Sequence, residues 1–537
     1  MIGETSDYRR LCDEFRWPIP ELYNIGVDVC DRHADGNGRI ALIFAEEGGA
    51  VRRCSFDALR QLTNRFANVL REDGFQRGDR LAIFVPQSLE TAIGHIAAFK
   101  SGLISVPLFA LFGEEALTFR LRDSAARGVL TDPSGLEKLL PLQDRLPDLS
   151  RIYVAGSGPA PEGCVALEPA LAHASDRFTP IETRADDPAI IIYTSGTTGN
   201  PKGALHGHRV LLGHLPGVEL PHDFFPQPGD LMWTPADWAW IGGLFDVLLP
   251  SLHHGIPVLA YRARKFDPGD AYRLKAEHEV HNVFLPPTAL KLLRQSGIAP
   301  NGVRLRSIAS GGESLGAELL DWAQATFGPP LHEFYGQTEC NLVAGNCARL
   351  FPIRPGSLGR AFPGHDLCVV DDRGKEVPTG EVGVIGIRRP DPAMFLSYWN
   401  NPVATDAKFA GDVLLTGDTA RCDTEGYFWF EGRSDDVITS AGYRIGPGEI
   451  EDCLMRHPAV ALAAVVGVAD PMRTEIVKAW LVLRSGYEGS DTLAREIQDF
   501  VRERLAAHEY PRQVAFVDAL PMTATGKILR RELRKRG

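Results

Sequence analysis

Tyr193-Thr194-Ser195-Gly196-Thr197-Thr198-Gly199-Asn200-Pro201-Lys202-Gly203 follows the apolar run Ala189 to Ile192. A buried strand therefore leads into a loop of hydroxyls and glycines. Gly196 and Gly199 allow a tight turn and a close approach of backbone to ligand. Thr194, Ser195, Thr197 and Thr198 supply hydroxyl donors, and Lys202 brings a positive charge. Together they suit a polyphosphate. The loop is not the common ATP loop, in which GxxxxGK is followed by Ser or Thr, because Lys202 is followed by Gly203. Taken alone, a surface turn rich in small polar residues is the competing reading.

On the N-terminal side of this loop, strand and helix patterns alternate. Ser55 to Arg71 sets Leu59, Leu62, Phe66 and Val69 on one helical face. Asp79 to Pro86 reads as a short buried strand, Leu89 to Lys100 as a helix and Ile104 to Leu108 as a strand. Glu114 to Ser124 and Gly128 to Leu130 repeat the alternation. This order predicts an α/β fold with parallel strand pairing. Pro159 to Asp187 has no clear period and is expected to be an irregular connection. Beyond the loop, His208 to Gly213 reads as a helix, Trp233 to Trp240 as an aromatic cluster suited to core or pocket, and Asn282 to Pro287 as a strand. From Gly359 onward, Asp366 to Asp371, Gly383 to Arg388 and Gly426 to Glu431 read as strands between turns, a small β subdomain. Glu449 to His457 (helix), Ala459 to Val468 and Val477 to Leu483 (strands) and Asp491 to Ala507 (helix) form a compact α+β unit.

With 537 residues the chain exceeds one ordinary core, so two or three domains are expected. Its 44% hydrophobic and 23% charged content is that of a soluble globular protein. A formal net charge of -12 argues against general nucleic-acid binding. The N-terminus lacks a signal-peptide core, and no apolar run reaches the roughly 20 residues that span a bilayer. Nine scattered cysteines without a CxxC pair suggest neither a zinc site nor a disulfide framework. A cytoplasmic location fits best.

Four later stretches carry chemistry. Ser307 to Ser310 runs into Gly311-Gly312-Glu313-Ser314, where paired glycines let a flat ring lie against bare backbone. Glu333-Phe334-Tyr335-Gly336-Gln337-Thr338-Glu339 offers an aromatic that can stack on a base, a hydroxyl for a phosphoryl oxygen and a carboxylate for Mg²⁺. Thr416-Gly417-Asp418 holds a carboxylate suited to ribose hydroxyls, though from three residues alone a plain turn carboxylate is the stronger reading. Leu520-Pro521-Met522-Thr523-Ala524-Thr525-Gly526-Lys527-Ile528 precedes a basic tail, where a lone lysine would ordinarily be a helix-start charge.

In their order and spacing over essentially the whole chain, these blocks resemble the adenylate-forming superfamily, which includes acyl-CoA synthetases, luciferases and the adenylation domains of peptide synthetases. The resemblance assigns the Thr194 to Lys202 loop to ATP phosphates and Gly312, Glu313 and Ser314 to adenine; Ser314 replaces the family's proline, so only the backbone contact carries over. It assigns Glu333, Tyr335, Gly336, Gln337 and Thr338 to the nucleotide and Glu339 to Mg²⁺. Asp418 and Arg433 are assigned to ribose, Arg433 also to phosphate. It makes Asp435 the hinge for a mobile C-terminal domain, Gly442 a bare face along which a pantetheine arm passes, and Arg444 a ligand for CoA or adenylate phosphates. Lys527 is the catalytic cation between the substrate carboxylate and the α-phosphate. Trp240, in an Asp-x-x-Trp order like that of medium-chain acyl-CoA synthetases, is placed beside the acyl site, with Gly242, Gly311 and Gly336 in the pocket. Gly336 stands where acetyl-CoA synthetases carry a tryptophan, which implies a substrate longer than acetate.

The implied architecture is a large N-terminal domain of α/β layers plus a small β subdomain (1–432), a hinge (433–436) and a small mobile α+β domain (437–537). The implied function is an ATP-dependent acid-thiol ligase using ATP, Mg²⁺ and coenzyme A. Its substrate is expected to be a short- or medium-chain carboxylic acid, branched and methylthio acids included. An aryl-CoA ligase for benzoate-like acids is the alternative. A non-catalytic adenylate-binding sensor would be expected to have lost Lys527 or Glu339. A luciferase-like oxygenase shares the motifs, and a peptide-synthetase module would adjoin a carrier domain. Expected partners are the carboxylate, ATP and CoA, with no nucleic acid and no integral membrane segment. The residues leave the oligomeric state open, a homodimer included.

Overall fold

In the computed structural model the described residues are 2–46, 49–156, 158–194, 201–262, 265–312, 315–433, 436, 438–440, 443–470, 474–504, 510–523 and 527–536. Two compact units emerge. One comprises the chain up to Thr194, Pro201–Asp366 and Arg389–Ala407, the other Leu367–Arg388 and the chain from Lys408. Among the described residues no helix is long and apolar enough to cross a membrane.

The first unit is α/β, as the alternation predicts. Its 8-stranded sheet runs Ser397–Tyr398, Lys202–Gly207, Pro188–Thr194, Ile104–Pro107, Arg80–Phe84, Gly128–Thr131, Arg151–Val154, Val165–Ala166. From Pro188–Thr194 onward all pairings are parallel. Ile104–Pro107 and Gly128–Thr131 are buried along their whole length, as expected of strands in a sheet covered on both faces. Helix Phe56–Glu72 begins where the Ser55 side chain accepts from the Ala58 amide, and buries Leu59, Phe66 and Val69 on its inner face. Helix Leu89–Lys100 is capped by Ser88 and ends in a buried lysine. Lys100 Nζ meets Asp31 Oδ1 at 2.5 Å and Thr63 Oγ1 at 2.8 Å, so the charge is not left unpaired.

A second sheet in this unit aligns Leu331–Gln337, Ser307–Gly311, Asn282–Phe284, Met232–Trp233 and Val258–Tyr261 in parallel. Cys340–Gly345 returns antiparallel beside Leu331–Gln337. The carboxyl ends of such strands are where open α/β sheets bind ligands, and here they carry Gly311–Gly312 and Tyr335–Glu339.

In the second unit, Leu367–Val370, Gly383–Arg388, Val413–Cys422 and Phe428–Arg433 pair antiparallel, the expected small β element. A 5-stranded sheet places Ile438–Ser440 between Tyr443–Ile445 and Thr474–Leu483, with Val460–Asp470 and Gln513–Phe516 also on Thr474–Leu483. Helix Asp491–Arg502 packs Leu493, Ile497 and Val501, spaced four apart, onto the core.

Three expectations change. Pro159 to Asp187 is not all irregular: it holds strand Val165–Ala166 and helix Leu167–His173, whose two buried leucines are too few to show a period. The helix after His208 spans Val210–Glu219 and is buried on every side, so it lacks the amphipathic signature that would have marked its length. The C-terminal helix stops at Arg502, short of Ala507.

Candidate active site

The hydroxyl- and glycine-rich loop joins two antiparallel strands whose last pair is Thr194 with Lys202. Residues 195 to 200, and with them Ser195, Gly196, Thr197, Thr198 and Gly199, lie outside the described residues, but the loop's two ends are held firmly. Thr194 Oγ1 donates to the Lys202 carbonyl at 3.4 Å, and the neighbouring Tyr193 hydroxyl donates to Asp123 Oδ2 at 2.7 Å. The Lys202 ammonium stands 5.1 Å from the Tyr398 ring centroid. The Tyr398 hydroxyl in turn donates to Glu339 Oε1. Lys202, Tyr398 and Glu339 thus link the first motif to the second, and both Tyr398 and Glu339 are buried. The Glu339 main chain is fixed as well, its carbonyl accepting from the Phe395 amide at 2.8 Å.

Within the second motif, Glu333 and Tyr335 are buried, whereas Gly336, Gln337 and Thr338 are half-buried. Glu333 Oε1 accepts from the Leu315 amide at 2.9 Å, which ties this strand to the segment following the Gly311 turn. At that turn Gly311 is required by contact, since a Cβ there would stand 2.5 Å from the Phe334 ring. Gly312 is required by backbone, with φ +95 and nothing within 4 Å of a Cβ. Bare, accessible backbone at a strand's carboxyl end suits a planar base. Glu313 and Ser314 lie outside the described residues.

The tryptophan cluster splits. Trp233 and Trp238 are core, while Trp240 is half-buried and sits 5.7 Å, ring to ring, from Phe109. The Trp240 amide donates to the Asp237 carbonyl at 3.1 Å. Burial pushes the Asp237 carboxyl up to about 6, only partly offset by its hydrogen bond from the Ala239 amide. Gly242 and Gly336 converge on one polar pair. A Cβ at Gly336 would stand 2.2 Å from Asn341 Oδ1, one at Gly242 would stand 3.5 Å from Asp246 Oδ2, and Asn341 Nδ2 donates to Asp246 Oδ1 at 2.8 Å. The space that a larger residue at 336 would take is therefore filled by the Asn341 amide.

In the second unit Asp418 pairs with Arg433 across adjacent strands, Arg433 Nη1 lying 3.2 Å from Asp418 Oδ1. The Asp418 amide donates to Thr416 Oγ1 at 3.1 Å, so the Thr-Gly-Asp triplet is held within strand Val413–Cys422 and is not a free turn. Lys527 is exposed, in a loop closed by the Thr523 amide on its carbonyl at 2.7 Å and by its own amide on Thr523 Oγ1 at 3.1 Å. Just beyond it, Arg530 grips Glu451 at 2.7 Å and Asp436 at 3.4 Å, while Arg534 meets Asp436 at 2.7 Å. The basic tail is thus partly structural. Arg444 lies on strand Tyr443–Ile445, its side chain outside the description, as are Asp435 and Gly442.

Four residues in these contacts carry no motif in sequence. Tyr398 and Asn341 follow the motifs without a recognisable pattern of their own. Asp246 left a signal, as the one acid interrupting the apolar run Ile241 to Leu252. Arg530 looked like one charge among many.

Among the described residues no cluster of three or more His, Cys, Asp or Glu could hold a metal by itself. A single carboxylate, Glu339, beside the hydroxyl of Thr338 nevertheless fits Mg²⁺, which commonly takes one or two carboxylates and completes its shell with phosphates and water.

Comparison with known proteins follows the same lines. The sequence model of the AMP-binding enzyme family matches residues 30–399, and that of the AMP-binding enzyme C-terminal domain matches 449–527. The acetyl-coenzyme A synthetase of Bacillus subtilis is 36% identical over 522 residues, covering 95% of this chain and 90% of that protein. The crystal structure of Brucella canis acyl-CoA synthetase superposes with a TM-score of 0.77 at 34% identity, covering 99% of both chains. The anthranilate CoA ligase AuaEII, solved with anthranoyl-AMP, superposes with a TM-score of 0.86 at 29% identity, covering 96% of this chain and 98% of that one. The chain belongs to the AMP-binding enzyme family of the adenylate-forming superfamily, among its acyl-CoA synthetases.

Proposed function

We propose that the protein converts a short- or medium-chain carboxylic acid, ATP and CoA to acyl-CoA, AMP and pyrophosphate in two steps. The carboxylate, ionised near neutral pH, attacks the α-phosphorus, and the bond to pyrophosphate breaks. The CoA sulfur then attacks the acyl carbonyl, and AMP leaves with the former carboxylate oxygen. The observation that carries this reading is the Lys202–Tyr398–Glu339 linkage, which couples a phosphate-suited loop to the carboxylate that would hold Mg²⁺. Mg²⁺, when bound, neutralises phosphate charge. The chain's own part is positioning and charge stabilisation: Lys202 and the loop toward the phosphates, Thr338 toward a phosphoryl oxygen, and Lys527 toward the carboxylate and α-phosphate. Asp418 and Arg433 hold ribose.

In this reading residues 1–432 form the adenylating domain and 437–537 a small domain that turns about Asp435 between the steps, bringing Gly442 and Arg444 to CoA. The protein acts in the cytoplasm, as a monomer or homodimer. The aryl-CoA ligase reading is favoured by the likeness to a ligase solved with anthranoyl-AMP.

The test is release of AMP and pyrophosphate over carboxylates from acetate to decanoate, with branched, methylthio and benzoate members, each with and without CoA. CoA-dependent release with acids from propionate to octanoate is expected. Preference for benzoates would favour the aryl reading, and pyrophosphate without thioester would contradict the ligase.

A further inference from the structure

Ile241–Gly243, Leu244–Leu248 and Leu249–His253 form consecutive helical turns of almost wholly apolar sequence, the middle one π-helical. Such π turns concentrate at functional sites. This one carries Asp246, only 3% exposed. Its single hydrogen bond from Asn341 Nδ2 occupies Oδ1, and no cation pairs with it among the described residues. Burial pushes its carboxyl well above the usual range, the Asn341 bond offsetting only part, so the neutral acid is favoured.

The surroundings give this pair a direction. Oδ2 lies on the side of Gly242, 3.5 Å from its Cβ position, and Asn341 Oδ1 on the side of Gly336, 2.2 Å from its Cβ position, so the two half-buried glycines are what let this pair approach the backbone. The remaining wall is aromatic: the Phe284 ring is 3.1 Å from a Gly242 Cβ position, and its centroid lies 5.3 Å from that of Phe334. An O–H donor and an amide acceptor thus stand side by side next to the Phe284 and Phe334 rings. A purely hydrocarbon acyl chain ending there would leave both without a partner.

We infer that the acyl pocket is built for a carboxylic acid bearing a hydroxyl at its far end, with Asp246 and Asn341 as the specificity-determining pair. This rests on the ligase reading and on Gly242 and Gly336 bounding the acyl site. The hydroxyl oxygen accepts from the Asp246 O–H, and its hydrogen is donated to Asn341 Oδ1. Sites that bond a substrate hydroxyl reject the analogue without it far more strongly than apolar pockets reject a change of size.

The experiment compares ω-hydroxy acids with their methyl-terminated isosteres at each length, from 3-hydroxypropanoate against butanoate to 7-hydroxyheptanoate against octanoate. The full-length protein is used, and kcat/KM is read from CoA-dependent AMP release. At one length the hydroxy acid should be favoured by about tenfold or more. The double variant Asp246→Leu, Asn341→Leu should turn that preference toward the methyl isostere. Thioester formation with methyl isosteres favoured at every length would overturn the inference while leaving the ligase reading intact, as would an unchanged hydroxyl preference in the double variant. Absence of thioester from every acid would overturn the ligase reading and this inference with it. If the double variant does not fold, the wild-type comparison decides.

Discussion

Tyr398→Phe removes one hydroxyl and nothing else from the linkage between the two nucleotide motifs. The ring stays, and with it the Lys202 ammonium 5.1 Å from its centroid. What is lost is the donor to Glu339 Oε1, in a place where Tyr398 is 5% and Glu339 8% exposed, so water replaces it poorly. Hydrogen bonds to charged groups contribute about 1.5–3 kcal/mol, which as a loss of transition-state stabilisation is about 10- to 150-fold in rate. The loss belongs to adenylation, because Glu339 is proposed to act only while phosphates are being exchanged. Pyrophosphate exchange into ATP should therefore slow by that factor, while thioester formation from supplied acyl-AMP stays within about twofold. A thermal-shift measurement controls for folding. Exchange at the wild-type rate, or equal slowing of both half-reactions, would refute the positioning role of Tyr398.

Other expectations follow from separate observations. Asp237 has its folded-state pKa raised from 3.8 to about 6, so its favourable contribution is present below about pH 4 and is lost as pH rises through about 6. Asp237→Asn should leave stability unchanged near pH 4 and raise it by roughly 1–3 kcal/mol above pH 7, read by urea denaturation at both pH values; equal effects at both would contradict the burial argument. Arg530→Ala strands Glu451 and weakens the hold on Asp436, and should cost about 2–4 kcal/mol in denaturant unfolding, with Arg530→Lys recovering less than half because the bidentate fork is lost. A loss under about 0.5 kcal/mol would make the network a surface feature. Lys527→Ala should lower adenylation by at least about a hundredfold while sparing thioester formation from acyl-AMP; retained adenylation would remove Lys527 from the chemistry.

Legibility in sequence followed burial geometry. Leu89–Lys100 and Gly383–Arg388 could be delimited because polar caps and turn residues bracket them, and Phe56–Glu72 because one face alone is apolar. Val210–Glu219 resisted because it is buried all round, and periodicity needs a wet face. For the site, glycine- and hydroxyl-rich stretches are conspicuous because few other local structures call for them. Tyr398, Asn341 and Asp246 act instead across sequence separations of 59 and 95 residues, and only the fold brings such partners together.

The central claim is that a carboxylate oxygen ends on AMP. Turnover of a doubly ¹⁸O-labelled carboxylic acid with ATP and CoA, followed by mass spectrometry of the AMP, tests it directly. The account predicts AMP carrying one ¹⁸O from the acid, and unlabelled pyrophosphate. AMP without label, or label in inorganic phosphate alongside ADP, would contradict adenylate formation as the first step.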